Sequence, residues 1–228
     1  MFSKFVFASL LFVLTMVATP LPAADDESAQ ITTDGLMVVE KNRRTEIYKD
    51  PAADWSVYTK IRLDPATVAF RKNWQRDQNR TQPFKVRTED MERIKTELSE
   101  MFGEVFAEEL TGAGGYVLTE ENGDDVLRIT PQIVDLDIAA PDTRNNPGMQ
   151  RSYTESAGRM TLKLQMFDSV TGDLIGVTSD RLEAPRRGYL EWTTSVTNRR
   201  EAKNLMIRWA EELRERLDQA RSNPPAAG

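Results

Sequence analysis

The sequence predicts an α+β fold. It is read as a two-layer α/β sandwich, with a mixed sheet of about five strands and two long amphipathic helices on one face. Three observations carry this. Apolar residues recur at three- and four-residue steps over residues 88–110 and again after Asn198. Met160, Leu162, Leu164 and Met166 alternate strictly with Arg159, Thr161, Lys163 and Gln165. The order is strand–helix–strand–strand–strand–strand–helix, and its first strand–helix–strand unit favours a right-handed crossover with parallel strands.

The amino end reads as an export signal. Lys4 supplies a short positive region, and residues 5–18 are apolar apart from Ser9 and Thr15. Pro20, Leu21, Pro22, Ala23 and Ala24 follow, then acidic Asp25 and Asp26. The apolar run is shorter than the ~20 residues a membrane-spanning helix needs. Cleavage is expected after Ala24 or Ala23, so residues 1–24 form the signal peptide. Residues 25–33 are a polar leader, 34–221 one domain, and 222–228 a fraying tail with Pro224 and Pro225.

Within the domain, Val57, Thr59, Ile61 and Leu63 lie two apart, with Lys60 and Arg62 opposite, and Asp64-Pro65 ends that strand. Residues 67–70 continue as a short extended piece. Residues 71–81 are polar and basic around Trp74 and read as a loop or irregular helix. Thr88 can cap the first long helix, and Glu89 and Asp90 suit its positive end. Met91, Ile94, Leu98, Met101, Phe102, Val105 and Phe106 form its stripe, and Gly112, Gly114 and Gly115 stop it.

Residues 116–118 make a short strand and Asn122-Gly123 a turn. Residues 126–138 form a longer strand whose apolar phase changes, so a bulge or an edge position is expected at Pro131. Residues 139–156, with Pro141, Asn145, Asn146, Pro147 and Gly148, read as a long polar loop. Thr171-Gly172-Asp173 turns the alternating strand into a partner over residues 174–181. Asn198 caps the last helix, with Glu201 three residues on, and Ala202, Leu205, Met206, Trp209, Leu213 and Leu217 form its stripe.

Composition removes whole classes of chemistry. The 228 residues include no Cys and no His. Disulfides, Cys-ligated zinc, Cys nucleophiles and Ser-His-Asp triads are therefore excluded. The net charge of −6 argues against bulk attraction to nucleic acid or anionic lipid.

The remaining constellations are weighed individually. Asp135 and Asp137 could pair as metal-binding or acid–base carboxylates, but alternation with apolar residues already explains them as a solvent face. Asp124 and Asp125 beside Gly123 lack calcium-loop spacing and read as a turn. Gly112 to Gly115 follow a helix, whereas a phosphate-cradling loop precedes one. Ser195 and Lys203 lack any nucleophile motif.

Two basic–aromatic clusters stand out as candidate interaction residues. Arg71, Lys72, Trp74 and Arg76, with Arg80 nearby, could bind an anionic glycan or lipid headgroup by charge and stacking. The competing reading tucks Trp74 into the domain as an anchor. Arg186, Arg187, Tyr189 and Trp192, followed by Arg199 and Arg200, could form a protein-binding spot. Here too the competing reading is packing, with Trp192 seating the connection on the sheet. Trp209 is read as core. No catalytic, cofactor-binding or metal-binding residue is assigned.

Several segments resemble domain-of-unknown-function family 3313, secreted bacterial envelope proteins of which many are lipoproteins. They are Asp34-Gly35-Leu36, Tyr58-Thr59-Lys60-Ile61, Leu63-Asp64-Pro65 and Val68-Ala69-Phe70-Arg71-Lys72-Asn73-Trp74. Asp125-Val126-Leu127-Arg128-Ile129, Asp168-Ser169-Val170-Thr171-Gly172, Trp192-Thr193, Asn198-Arg199 and Trp209-Ala210 complete them. The chain departs from many relatives in lacking a lipid-accepting Cys. The family has no established activity, so the resemblance implies no catalytic residue. The element order also looks like small α/β modules of envelope assembly proteins, an architectural analogy only.

The functional expectation is an exported, periplasmic, non-enzymatic interaction or assembly module. It would present a sheet edge, the 139–156 loop or the Trp192 region to another envelope protein or a second copy. The alternative is a glycan or lipid-headgroup module through Arg71, Trp74 and Arg76. A hydrolase built on Asp135 and Asp137 is the third. No cofactor, nucleic acid or transmembrane segment after signal cleavage is expected.

Overall fold

The computed structural model describes residues 34–81, 85–138, 152–154, 158–183, 191–193 and 195–222. The export signal, the leader, residues 223–228 of the tail, residues 139–151 and 155–157 of the expected 139–156 loop, and Arg186, Arg187 and Tyr189 lie outside them; residues 152–154, expected within that loop, form a strand, and Ser222 ends the last helix.

The chain begins with an antiparallel pair, β1 (Met37–Lys41) and β2 (Thr45–Lys49). A single 3-10 turn, Trp55–Val57, leads into β3 (Lys60–Leu63) and β4 (Thr67–Phe70). Two helices follow, α1 (Trp74–Thr81) and α2 (Thr88–Thr111), then β5 (Val117–Leu118) and β6 (Val126–Ile138). Next come β7 (Ser152–Thr154), β8 (Gly158–Asp168), β9 (Leu174–Glu183), β10 (Glu191–Thr193) and α3 (Ser195–Ser222).

The architecture is α+β, with one eight-stranded mixed sheet in the order β1-β2-β9-β8-β6-β3-β5 and β4 also on β6. A second, two-stranded sheet joins β7 and β10. The sheet is therefore larger than the five strands expected. The strands of this sheet that the sequence reading omitted, β1 and β2, lie toward one edge and carry apolar residues on both faces (Met37, Val38 and Val39; Ile47 and Tyr48), so they lack alternation.

β3 pairs in parallel with both β5 and β6, as the crossover through α2 requires. The β8–β9 hairpin turns on Asp168, whose carboxylate accepts the amides of Val170 and Thr171. Gly172 closes that turn at φ 76°, a conformation costly for any residue with a Cβ.

One core lies between the sheet and the two long helices. Phe102, Phe106 and Leu110 of α2 and Met206, Trp209 and Ala210 of α3 pack against Ile61, Leu127, Ile129 and Ile133. Each large apolar side chain so buried contributes about 1.5–3 kcal/mol. Arg214 of α3 also donates to the carbonyls of Glu109, Leu110 and Gly112, satisfying the free end of α2.

Four local expectations need correction. The first strand starts at Lys60, because Asp54 caps the 3-10 turn by accepting the Ser56 amide, leaving Val57 exposed. At α2, Thr88 is the first helical residue and not the cap. The Asp90 carboxylate instead accepts the Arg87 amide at 3.0 Å. α3 starts at Ser195, three residues before Asn198.

The fourth correction concerns Pro131. It is buried mid-sheet, paired with Leu164, and lies neither at an edge nor at a bulge. Ile129 accepts the Asp64 amide, so two residues on the missing N–H of Pro131 points to the same side. That side is where β3 has ended and β4 has not begun. The phase slip falls four residues later. Asp135 adopts φ 52°, and β6 carries one extra residue against both β4 and β8 between Ile133 and Asp137.

Candidate functional site

The register of three strands builds a floor. Thr45, Asp180 and Leu162 lie side by side across β2, β9 and β8. Ile47, Thr178 and Leu164 form the next row, and Lys49, Gly176 and Met166 the third. Period-two alternation puts all nine on the face toward α3. Leu213 and Leu217 of α3 lie above, and Pro51, Ala53 and Trp55 close one side. Between floor and roof is a cavity of about 370 Å³ with mainly apolar lining. That volume lies within the ~300–1,000 Å³ typical of small-molecule sites.

Asp180 anchors one end. Its residue surface is only 7% exposed. The carboxylate accepts the Thr45 hydroxyl at 2.7 Å, Arg44 Nε at 3.1 Å and the Trp209 indole N–H at 2.8 Å. A buried carboxylate so satisfied ties α3 to the sheet.

The other end is set by Trp55. Its indole lies over Gly176, where a Cβ would sit 2.9 Å from Trp55 Cη2 and 3.0 Å from Met166 Cε. Only a residue without a Cβ admits the ring there. Trp55 Nε1 is itself buried and has no acceptor among the described residues. Lys49 is exposed in the row of Gly176, with no acidic partner among the described residues.

Arg216 of α3 bridges Glu212 at 2.9 Å and Glu40 of β1 at 3.0 Å, strapping the edge hairpin to the helix. Burial pulls the Arg216 pKa down, but the bonds to Glu212 and Glu40 more than offset it and the net direction is up. Lys49, Asp50, Glu212 and Arg216 give the cavity a charged rim.

The residues singled out from the sequence lie elsewhere. Trp74 is 1% exposed, stacks on Phe70 with centroids 4.2 Å apart, and donates Nε1–H to the Ile138 carbonyl. It is an anchor, and offers no ring face to solvent. Arg71 is held between Asp77 at 2.8 Å and Asp137 at 3.0 Å. The hydrogen bond from Arg71, against a smaller cost of burial, holds the Asp77 carboxyl below the usual carboxylate range. Lys72 and Arg76 are exposed.

Asp137 also meets Arg159 at 3.1 Å, so it is neutralised by two guanidinium groups, while Asp135 is exposed at the bulge. Trp192 lies in β10 opposite Tyr153. Arg199 pairs with Glu97 of α2. Among the described residues no group of three or more acidic side chains is placed to hold a metal ion.

Sequence reasoning missed Asp180 and Trp55. Asp180 shares the parity of Leu182 in its strand, so a charge on the inward phase was a usable signal. Trp55 had none, because only the β9 glycine opposite it explains its place.

The family model described as "Protein of unknown function (DUF3313)" matches residues 34–213. No curated protein matches the chain. Among solved structures, the PelC dodecamer from Paraburkholderia phytofirmans shares 7% identity, covering 73% of this chain and 96% of that one, with a TM-score of 0.37. A minor lipoprotein from Acinetobacter baumannii shares 12% identity, covering 75% of this chain and 99% of that one, with a TM-score of 0.30. At those scores neither likeness carries an argument. No helix among the described residues is long and apolar enough to cross a membrane.

Proposed function

Because the chain belongs to this family of unknown function, we propose from its own geometry that it is a non-enzymatic binding module of the bacterial envelope. Its site is the cavity between α3 and the β2-β9-β8 floor. The observation that carries this reading is the cavity itself. It is apolar within, charged at its rim, and braced at one end by Asp180 and at the other by Trp55. The export signal read in residues 1–24 supports a periplasmic location. The reading moves ligand binding away from Arg71, Trp74 and Arg76, since Trp74 is in the core.

Titration of the signal-free protein with a neutral fluorescent apolar probe, N-phenyl-1-naphthylamine, tests this. Saturable binding of one probe per chain is expected, abolished by Leu213→Trp, which fills the cavity. A folded protein that gives no saturable signal would overturn the reading.

A second reading, assembly with an extended segment of another envelope protein, has one observation in its favour. The edge strand β5 leaves Val117 60% exposed and Leu118 beside it exposed. Crosslinking in intact cells from a photoreactive residue at position 118 would capture that partner in a defined adduct. Absence of any adduct with the protein present would remove this reading.

A further inference from the structure

We propose that one end of the main sheet is a docking surface for an anionic phospholipid bilayer, held by the exposed cations Lys41, Arg43, Lys72, Arg80 and Arg181. This goes beyond the cavity and does not rest on it.

The argument starts from where the strands end. Asp137 lies opposite Arg159 and Arg159 opposite Glu183, so β6, β8 and β9 share one end. The β1–β2 turn reaches that end, because Thr45 pairs with Asp180 and the Arg181 amide donates to the Arg44 carbonyl. α1 is fixed there too, since Trp74 and Gln78 both donate to the carbonyl of Ile138, the last residue of β6. The five cations sit on these pieces. All are exposed, and none has an acidic partner among the described residues. Most acids of this end are engaged. Asp77 and Asp137 are held by arginines, and Asp180 is buried beneath Arg44. Asp135 and Glu183 are exposed and Glu46 lies opposite Lys41, which still leaves the cations in excess.

The opposite end has the opposite sign. Asp50, Asp54, Asp124, Asp125, Asp168 and Asp173 surround it, against Lys49 and Lys60. The 11 residues of β8 put about 35 Å between the two ends. That is several times the screening length of about 8 Å at physiological salt. The net charge of −6 is therefore not what a surface facing the basic end meets.

The spread of the cations decides between a surface and a small anion. β1, β2, β9, β8, β6 and β4 lie side by side, a width of about 24 Å. The cations stand across that width at one level and do not converge, as a small ligand would require. A flat anionic surface meets them together, and each Lys or Arg brought to it adds attraction. The turn is also preset. The Asn42 carboxamide accepts the amides of Arg44 and Thr45, both at 2.8 Å, so the backbone that carries Arg43 is ordered before contact.

The test is co-sedimentation of the signal-free protein with vesicles of equal parts phosphatidylglycerol and phosphatidylcholine, and with vesicles of phosphatidylcholine alone. Binding is expected to the anionic vesicles only, and to fall away as salt rises from about 50 to about 300 mM. Arg43→Ala with Arg181→Ala is expected to weaken it at least about tenfold. Lys72→Ala with Arg80→Ala should do the same from the other side of the surface. Lys60→Ala with Arg128→Ala removes equal charge from the acidic half and should bind as the parent does. Thermal unfolding establishes that each variant is folded.

Equal binding to both kinds of vesicle would overturn the proposal. So would an equal loss in the Lys60 and Arg128 variant, which would make net charge the cause. Folded protein that binds neither vesicle at about 50 mM salt would overturn it as well, and binding of dextran sulfate in their place would assign this end to a polyanionic chain. None of these outcomes depends on whether the cavity takes the apolar probe.

Discussion

Trp209 on α3 donates its indole N–H to Asp180 on β9 at 2.8 Å, and this is the polar contact that fixes the last helix over the floor of the cavity. A charged residue and an indole meet here inside an apolar layer. Both satisfy their polar atoms in doing so, and neither could be buried as cheaply alone.

That pairing predicts a measurable coupling. Asp180→Asn and Trp209→Phe each leave a buried group without its partner and are expected to cost about 1–3 kcal/mol in urea unfolding. The double variant should cost less than the sum, by about 0.5–3 kcal/mol, because the contact can be lost only once. Strict additivity would show that the two residues do not act as a pair.

Gly176 and Trp55 make a steric prediction. A Cβ at position 176 would lie 2.9 Å from the Trp55 ring. Gly176→Ala must therefore push the indole or Met166 aside. A cost of about 1–3 kcal/mol is expected from the overpacking, with weaker probe binding. Gly176→Ala should cost less in a Trp55→Ala background than in the parent, measured by thermal unfolding of all four proteins. An equal cost in both backgrounds would show that the crowding is not with Trp55.

How much of this was legible in the sequence depends on where each signal lies. The limits of β6 and the stripe of α2 follow from residues next to one another in the chain, such as Ile94, Leu98 and Phe102. The hairpin at Asp168 and Gly172 is equally local. β1 and β2 are not legible, since Met37, Val38 and Val39, and Ile47 and Tyr48, put apolar side chains on both faces and leave no period of two. The bulge was misplaced because Pro131 is the conspicuous residue. The real deviation is the backbone of Asp135, which no side-chain pattern announces. The cavity is assembled by β2, β8, β9, α3 and the 3-10 turn, and its pairings, such as Thr45 with Asp180, lie far apart in sequence.

The basic cluster gives a contrast between charge and packing. Trp74 is buried and stacked on Phe70, so Trp74→Ala is expected to cost about 3–5 kcal/mol and lower the melting temperature sharply. Lys72 and Arg76 are exposed, and their alanine variants should each stay within about 0.5 kcal/mol of the parent. A stable Trp74→Ala protein that loses affinity for a cell-wall glycan would restore the recognition role first considered for this segment.

Acid should weaken the β8–β9 hairpin through Asp168. The Thr171 amide, against a smaller cost of burial and with the Tyr58 hydroxyl and Val170 amide adding, holds this carboxyl below the usual range. Burial first, and then the bond to Asp168, raise the Tyr58 pKa, so the phenol remains a donor at neutral pH. A folded pKa below the unfolded value of about 3.9 means the stabilisation is fully present above that pH. It is lost as pH falls through the folded pKa. Asp168 is only partly buried, and solvent screens it, so the effect is discounted to less than about 1 kcal/mol. Asp168→Asn should therefore be less stable than the parent near neutrality, and the gap should close as pH falls below about 3.9. Urea unfolding of both proteins across that range is the measurement, and a gap that stays constant with pH would rule Asp168 out as the titrating group.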